Sequence, residues 1–280
     1  MNWELESFVP LAQKVIREGE KRPSRAGDVY SLFGESFTVD VSESFPVLHG
    51  RKMFIKPIIG EFAAMLKGPK NVADFKAMGC NYWDSWGAKQ GDCLYDGEEA
   101  KGGELNLDYG NAWLDFNGVN QLEELVNTLQ TNTLDRRMIV TGWRPDRLKE
   151  LSLPCCHMLY QFYVREGKYL DMVWYQRSVD TMVGLPSDVV LAATWVIVLA
   201  KQVKLQPGKV KMMLGDTHIY ANHIPGTVEY FRAVSKLNKP ETLRVGYYLD
   251  SSASLFNFHP DMLDLHNYNP SPAIKFELNV

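Results

Sequence analysis

One stretch of the chain limits the fold more than any other. From Val189 to Ala200 the sequence reads VVLAATWVIVLA, broken in its apolar character only by Thr194. A helix over Val189 to Lys204 would be apolar on nearly every side, so it has no face to offer to solvent and belongs in the middle of a core. It is too short to cross a bilayer, which takes about 20 residues. The remaining segments must therefore wrap it. At 45% hydrophobic and 23% charged the chain has the material to do so. No Pro/Gly/Ser-rich linker and no fixed-period repeat divides it, which favours one domain over residues 1–280.

The flanking pattern is mixed. Leu5, Phe8, Ala12 and Val15 fall on one helical face, with Pro10 at its start or at a kink. Residues 28–40 alternate around Gly34, as a strand pair or a bulged strand does. Pro57 to Leu66 is a proline-opened helix with Ile58, Ile59, Phe62 and Met65 inward. Residues 70–108 are glycine-rich and loop-like, and Gln121 to Leu129 is an amphipathic helix. Strand patterns follow at Arg137–Trp143, Met158–Val164 and Tyr169–Tyr175, the last two joined by a turn at residues 165–168. Val210–Leu214 and Leu243–Leu249 are further strands, and Asn222–Leu237 a further helix. The expected class is α+β, a sheet layered with helices.

Net charge is -4, so no global field draws nucleic acid, and an anionic substrate would need a local group of arginines. The first residues lack the unbroken apolar core of a signal peptide. The four cysteines (Cys80, Cys93, Cys155 and Cys156) fit neither a disulfide framework nor a zinc knuckle, and reduced thiols in a cytoplasm are the expectation.

Three motifs bear chemistry. In LPCCHMLYQFYV (153–164) a cysteine followed by His157 ahead of a strand is either a nucleophile or a buried structural thiol. In WYQRSVD (174–180) Arg177 could lower a thiol pKa, or form a surface ion pair with Asp180. Asp135-Arg136-Arg137 leads into a strand, where adjacent arginines point to opposite faces; they are phosphate ligands or a solvated turn. Arg25 in RPSRAG reads equally as an anion clamp or as surface charge. GDTHIYANH (215–223) places Asp216, His218, Tyr220 and Asn222 on one face of an extended segment. His218 and His223 lack a third ligand at suitable spacing, so zinc is rejected.

LPCCH, YQRSVDTMVGLPSD and GDTHIYANH, in this order and spacing, resemble the thymidylate synthase family. RPSRAG, FPVLHGRKMFIKPIIGE, WDSW, LDYGNAW, DRRMIVTGW and NPSPAIKFELNV extend the resemblance over nearly the whole chain. It implies a thymidylate-synthase-like α+β fold and an obligate homodimer through the sheet. It implies Cys156 as nucleophile, Glu61 as an acid/base working through water, and His157 and Tyr109 lining the reacting pyrimidine. Arg25, Arg177 and Ser178 would hold the phosphate, with Arg136 and Arg137 reaching into the partner's site. Gln176 falls with the substrate ligands, and His218 and Tyr220 with those of the deoxyribose 3′-hydroxyl. Trp83, Leu153, Asp180, Gly184 and the tail ending at Val280 would meet 5,10-methylenetetrahydrofolate, a cosubstrate. No metal, DNA or membrane is expected as a partner.

The motif that ends GLPFN in synthases acting on deoxyuridylate here ends Gly184-Leu185-Pro186-Ser187-Asp188. An asparagine amide complements O4 and N3–H of uracil. A carboxyl group accepts from the 4-amino group of cytosine and, when protonated, donates to N3. A carboxylate facing uracil O4 leaves a mismatch of about 1–3 kcal/mol. Asp188 thus resembles the deoxycytidylate (dCMP) hydroxymethylases of bacteriophages, which would place the enzyme in the cytoplasm of an infected host and in DNA modification. Ser187 opens room for water beside the folate, which favours a hydroxymethyl over a methyl product. The alternatives are a dCMP methylase, a synthase methylating dUMP, with drift or a water-mediated uracil site at Asp188, and an inactive nucleotide- or RNA-binding relative. Nothing in the sequence accounts for Cys155.

Overall fold

The computed structural model describes residues 2–88, 103–237 and 243–279. Cys93, Val280 and the glycines at 91, 97 and 102 lie outside the described residues. A wide helical turn, Glu4–Phe8, runs into α1 (Val9–Glu18) with Pro10 in its first turn, where a missing N–H breaks no helical bond. Glu4 is fully buried; its carboxylate accepts from the backbone N–H groups of His49 and Gly50 (2.7 and 2.9 Å) and from the Tyr230 hydroxyl (2.6 Å). That set of bonds satisfies a buried carboxyl group that would otherwise be left without partners.

β1 (Glu20–Ser24) and β2 (Gly27–Asp40) form a hairpin, so RPSRAG is the end of a strand and a tight turn rather than a loop. Residues 28–40 are one continuous strand, not a strand pair. α2 (Ile55–Met65), α3 (Val72–Ala77), α4 (Asp84–Ala88), α5 (Asn111–Leu114) and α6 (Gln121–Thr131) follow. The anticipated inward residues Ile58, Ile59, Phe62 and Met65 are all buried. Asn71 and Asn120 cap α3 and α6 by accepting from backbone N–H groups of their first turns. The remaining elements are β3 (Ile139–Thr141), β4 (His157–Arg165), β5 (Tyr169–Asp180), α7 (Gly184–Gln202), β6 (Gln206–Tyr220), α8 (Ile224–Val234), β7 (Gly246–Leu249) and β8 (Leu263–His266).

The main sheet runs β1-β2-β6-β5-β4-β3, and β7 pairs with β8 apart from it. β5 and β6 are its parallel pair, and a parallel pair needs a crossover. The crossover is α7. Its residues from Val189 to Ala200 are all buried, held between the sheet and α2. This is the helix expected from its apolar run, and it starts five residues earlier, so Asp188 lies within it. Trp174 and Gln176 of β5 face α7 and are buried. The opposite sheet face is uncovered: Ile139, Tyr163 and Met213 are 42%, 61% and 42% exposed.

Irregular positions line up across the sheet. Gly34 of β2 has φ +86°, and β4 shifts register on β5 between His157 and Leu159. A Cβ on Gly215 of β6 would sit 2.5 Å from the Arg177 carbonyl oxygen and 3.1 Å from its Cα. Only glycine allows that approach, and it occurs where Arg177 turns toward Cys156. Gly215→Ala is expected to destabilise the protein by about 1–3 kcal/mol, the usual cost of overpacking, measured as a lowered urea midpoint. An unchanged midpoint would show that the strands can separate there freely.

Candidate active site

The irregular line across the sheet opens into a cleft of about 890 Å³. Its walls are the β1–β2 turn, α2, residues 82–86, Tyr109, the start of α7, the end of β6 and the C-terminal tail. Two adjacent cysteines at its base are in different situations. Cys155 is buried, its thiol directed at the Gly142 carbonyl oxygen (3.6 Å), and burial pushes its pKa well up. It is a packing residue beside Gly142 and Trp113, which accounts for its presence. Cys156 is half-buried and lines the cleft. Burial also pushes this thiol up, but the Arg177 guanidinium, with Nη2 4.0 Å from Sγ, pulls it down.

Arg177 does not pair with Asp180. Its guanidinium donates to the carbonyls of Cys155 (2.8 Å) and Pro154 (2.9 Å), which fasten the cysteine loop to β5. Asp180 accepts from the backbone N–H groups of Met182 and Val183 (2.9 and 3.2 Å), shaping the turn into α7, and its other oxygen lies 3.7 Å from His223 Nδ1.

Several groups around Cys156 are shifted toward their uncharged forms. Burial pushes the Glu61 carboxyl up to about 7, although Trp83 Nε1 donates to it at 2.8 Å. Burial pushes His157 down to about 3, so its ring, 2.5 Å from the Tyr160 hydroxyl through Nδ1, is neutral at physiological pH. The Tyr109 hydroxyl accepts from the Cys156 backbone N–H, and burial keeps it protonated. Burial pushes the Asp188 carboxyl up to about 8, even though Gln176 Nε2 donates to Oδ2 at 2.7 Å.

Farther along the cleft, Asp216 accepts from Ser31 (3.1 Å) and holds His218 Nδ1 at 2.8 Å. His218 and Tyr220 share one face of β6 as the alternation predicts. Asn222 does not, because it lies in a short 3-10 turn, Ala221–His223, and bonds to the tail. Arg25, Ser178, Leu153 and Gly184 also line the cleft. Arg136 and Arg137 do not. They precede β3 rather than lying on it, both are exposed, and Arg137 pairs with Asp135 at 2.7 Å. The strand expected over Arg137–Trp143 is shorter because its first residues form this turn. Among the described residues no group of three or more His, Cys, Asp or Glu side chains could hold a metal.

Residues 6–280 match the thymidylate synthase family model. The chain is 34% identical to the thymidylate synthase of Enterobacteria phage T4, over 99% of this chain and all of that one. It is 32% identical to the Mycoplasma pneumoniae thymidylate synthase over 99% of this chain and 100% of that one. With that of Mycoplasma genitalium it shares 34% over 96% and 98% of the two chains. The chain belongs to the thymidylate synthase family.

Thymidylate synthases are one-carbon transferases that use methylenetetrahydrofolate as cosubstrate. The cleft has surfaces suited to such a molecule. Trp83, Val183 and Phe276 present apolar faces, and Arg51 and Lys52 supply positive charge. Arg51, Lys52 and Arg22 were not singled out in the sequence, whereas Phe276 belongs to the tail expected to meet the folate. Arg51 bonds to the Met182 carbonyl and lies 4.7 Å from the Phe276 ring centroid, joining α7's approach to the tail. The adjacent cations before a proline-opened helix were the available signal for Arg51 and Lys52.

The buried Asp188 has a consequence for this thymidylate synthase family member's stability. Its folded pKa, about 8, lies above that of an unfolded aspartate, so the folded state keeps a proton that the unfolded chain releases. The associated stability is present at low pH and is lost as pH rises toward about 8. Asp188→Asn is therefore expected to raise the melting temperature more at pH 9 than at pH 5. A gain independent of pH would mean that the carboxyl is not desolvated.

Proposed function

We propose that the protein is a folate-dependent C5 hydroxymethylase of deoxycytidylate, built as a homodimer. One observation carries the base preference: a buried Asp188, at the floor of the cleft and able to hold a proton near neutral pH, where the family's uracil readers have asparagine.

In this reading Cys156 adds through sulfur to C6 of the pyrimidine. The addition makes C5 nucleophilic toward the one-carbon unit, which the reduced folate supplies at the oxidation level of formaldehyde. Arg177 stabilises the thiolate and, with Arg25 and Ser178, holds the phosphate. Glu61, poised near neutrality, moves protons through water, including the one lost from C5. Neutral His157 and Tyr109 line the ring, and His218, oriented by Asp216, meets the sugar 3′-hydroxyl with Tyr220. Trp83, Leu153, Asp180 and Gly184 form the folate wall. Loss of the C5 proton expels tetrahydrofolate and leaves an exocyclic methylene, to which water adds as the C6–S bond to Cys156 breaks. Ser187, small and half-buried in the cleft, supports water as that final reactant. Hydride in its place would give a methyl group, the product of the synthase reading.

Asp188 sorts the bases through its ionisation. A neutral carboxyl can serve either ring edge by moving its proton between oxygens. The carboxylate keeps its bond to the 4-amino group of cytosine while giving up the one to N3, and it sets a full negative charge against O4 of uracil. The preference for dCMP over dUMP in kcat/KM should therefore widen as pH rises through about 8. Asp188→Asn should lower dCMP use and raise dUMP use, by roughly 5- to 150-fold each, and remove the pH dependence of the ratio. A parent enzyme that prefers dUMP, or a mutant with unchanged preference, would replace this reading by that of a plain thymidylate synthase.

The uncovered sheet face, with exposed Ile139, Tyr163 and Met213, supports a second copy as its cover, and exposed Arg136 and Arg137 support a phosphate site shared across the dimer. Mixing inactive Cys156→Ser subunits with inactive Arg136→Ala subunits should restore activity, since each mixed dimer holds one intact site. No recovery despite demonstrated subunit exchange would remove the shared site.

A further inference from the structure

Gln176 was expected among the substrate ligands, yet it is 2% exposed and its amide is committed within the protein. Trp174 Nε1 donates to its Oε1 at 3.2 Å. Its Nε2 donates to the Ser178 carbonyl at 3.2 Å and to Asp188 Oδ2 at 2.7 Å. An indole N–H can only donate and a carbonyl can only accept. Turning the amide over would set N–H against N–H at Trp174 and oxygen against oxygen at Ser178. The amide therefore has one orientation, fixed at both ends by groups that cannot change role.

That orientation passes to residue 188. The atom facing Gln176 must accept, and Oδ2 does; among the described residues Oδ1 has no hydrogen-bond partner, and Asp188 lines the cleft. We propose that Gln176 is the positioning residue that sets the polarity of position 188, holding Oδ2 as an acceptor and leaving Oδ1 to meet ring position 4 of the pyrimidine. An asparagine at 188 would have to give its oxygen to Gln176 and turn its amide nitrogen to the base, a donor that suits O4 of uracil and opposes the amine of cytosine. Aspartate turns an oxygen there instead, an acceptor when ionised. Without Gln176 an asparagine amide could rotate to suit either base. A carboxyl without its donor would hold its proton more tightly, because the bond from Gln176 favours the ionised form. Either way the discrimination shrinks.

The ionisable groups that bear on Asp188 are Glu61 of α2, Asp180 of β5, Tyr160 of β4 and the Cys156 thiol. Each is retained in the Gln176 and Trp174 variants below, and the Cys156→Ser background used for affinities is common to both arms. The proposal rests on the reading of Asp188 as the base selector but is tested separately from it.

The test is the change in dCMP:dUMP preference that Asp188→Asn causes, measured once with Gln176 present and once in a Gln176→Ala background. Loss of one hydrogen bond that orients the selector should cut that change by roughly three- to tenfold. In Gln176→Ala with Asp188 intact, the rise of preference with pH should move to higher pH. Trp174→Phe, which keeps Gln176 and removes one of its two locks, should act in the same direction but more weakly. Where a variant is too slow to assay, calorimetric dCMP and dUMP affinities in the Cys156→Ser background give the same ratio. An equal change in both backgrounds, with the pH dependence unmoved, overturns the role of Gln176 even if the enzyme prefers dCMP. A parent enzyme that prefers dUMP overturns the cytosine reading, while the size of the change still reports on Gln176.

Discussion

The burial of α7 across the parallel pair β5 and β6 is the constraint on which the rest of the structure depends. The helix has no polar face, so the sheet must cover one side of it and α2 the other. A parallel pair in turn requires a crossover of this length. Chemistry gathers where this helix begins. Its first turns carry Gly184, Ser187 and Asp188 to the floor of the cleft, directly over Gln176 of β5. A carboxyl in that position is largely desolvated, and its raised pKa follows from the packing that holds the helix in place.

The second device is the line of irregularity through Gly34, Gly215, Arg177 and the register shift in β4. A regular sheet would leave Arg177 and Cys156 as strand residues on opposite faces. The kink brings the guanidinium to 4.0 Å from the thiol and ties it to the carbonyls of Pro154 and Cys155, the two residues before it. The positive charge acts on Cys156 in competition with burial, whereas Cys155, one residue away, experiences burial above all. Around them Glu61, His157 and Tyr109 are shifted toward their neutral forms, so Arg177 is the charge beside Cys156, with Arg25, Arg51 and Lys52 farther along the cleft. That suits an anionic nucleotide and a carbanion-like C5.

Much of this was legible in the residues, for physical reasons that differ from element to element. The apolar run of α7, the inward face of α2 and the alternation of β6 through His218 and Tyr220 all follow from periodicity. The candidate site was legible through its ordered motifs, because Cys156, Arg177, Asp188 and His218 each stand in one. What was not legible depends on long-range pairing. β1 is exposed along its length and has no pattern of its own; it is a strand because β2 lies beside it. Arg136 and Arg137 leave the strand because Asp135 closes a turn on Arg137. Arg51 and Phe276 stand far apart in the chain, and the role of Gln176 is visible only once Trp174, Ser178 and Asp188 are seen around it.

The account makes the start of α7 a reader of the pyrimidine's 4-position and Cys156 the group that activates C5. Both meet in a single event, loss of the hydrogen at C5. The direct measurement is release of tritium from C5-labelled dCMP and dUMP in the presence of methylenetetrahydrofolate, with mass spectrometry of the product. The account predicts faster release from dCMP, none in Cys156→Ser, and a product carrying a hydroxymethyl group. Faster release from dUMP with a methyl product would contradict it, and release from neither would mean that the cleft binds nucleotides without acting on them.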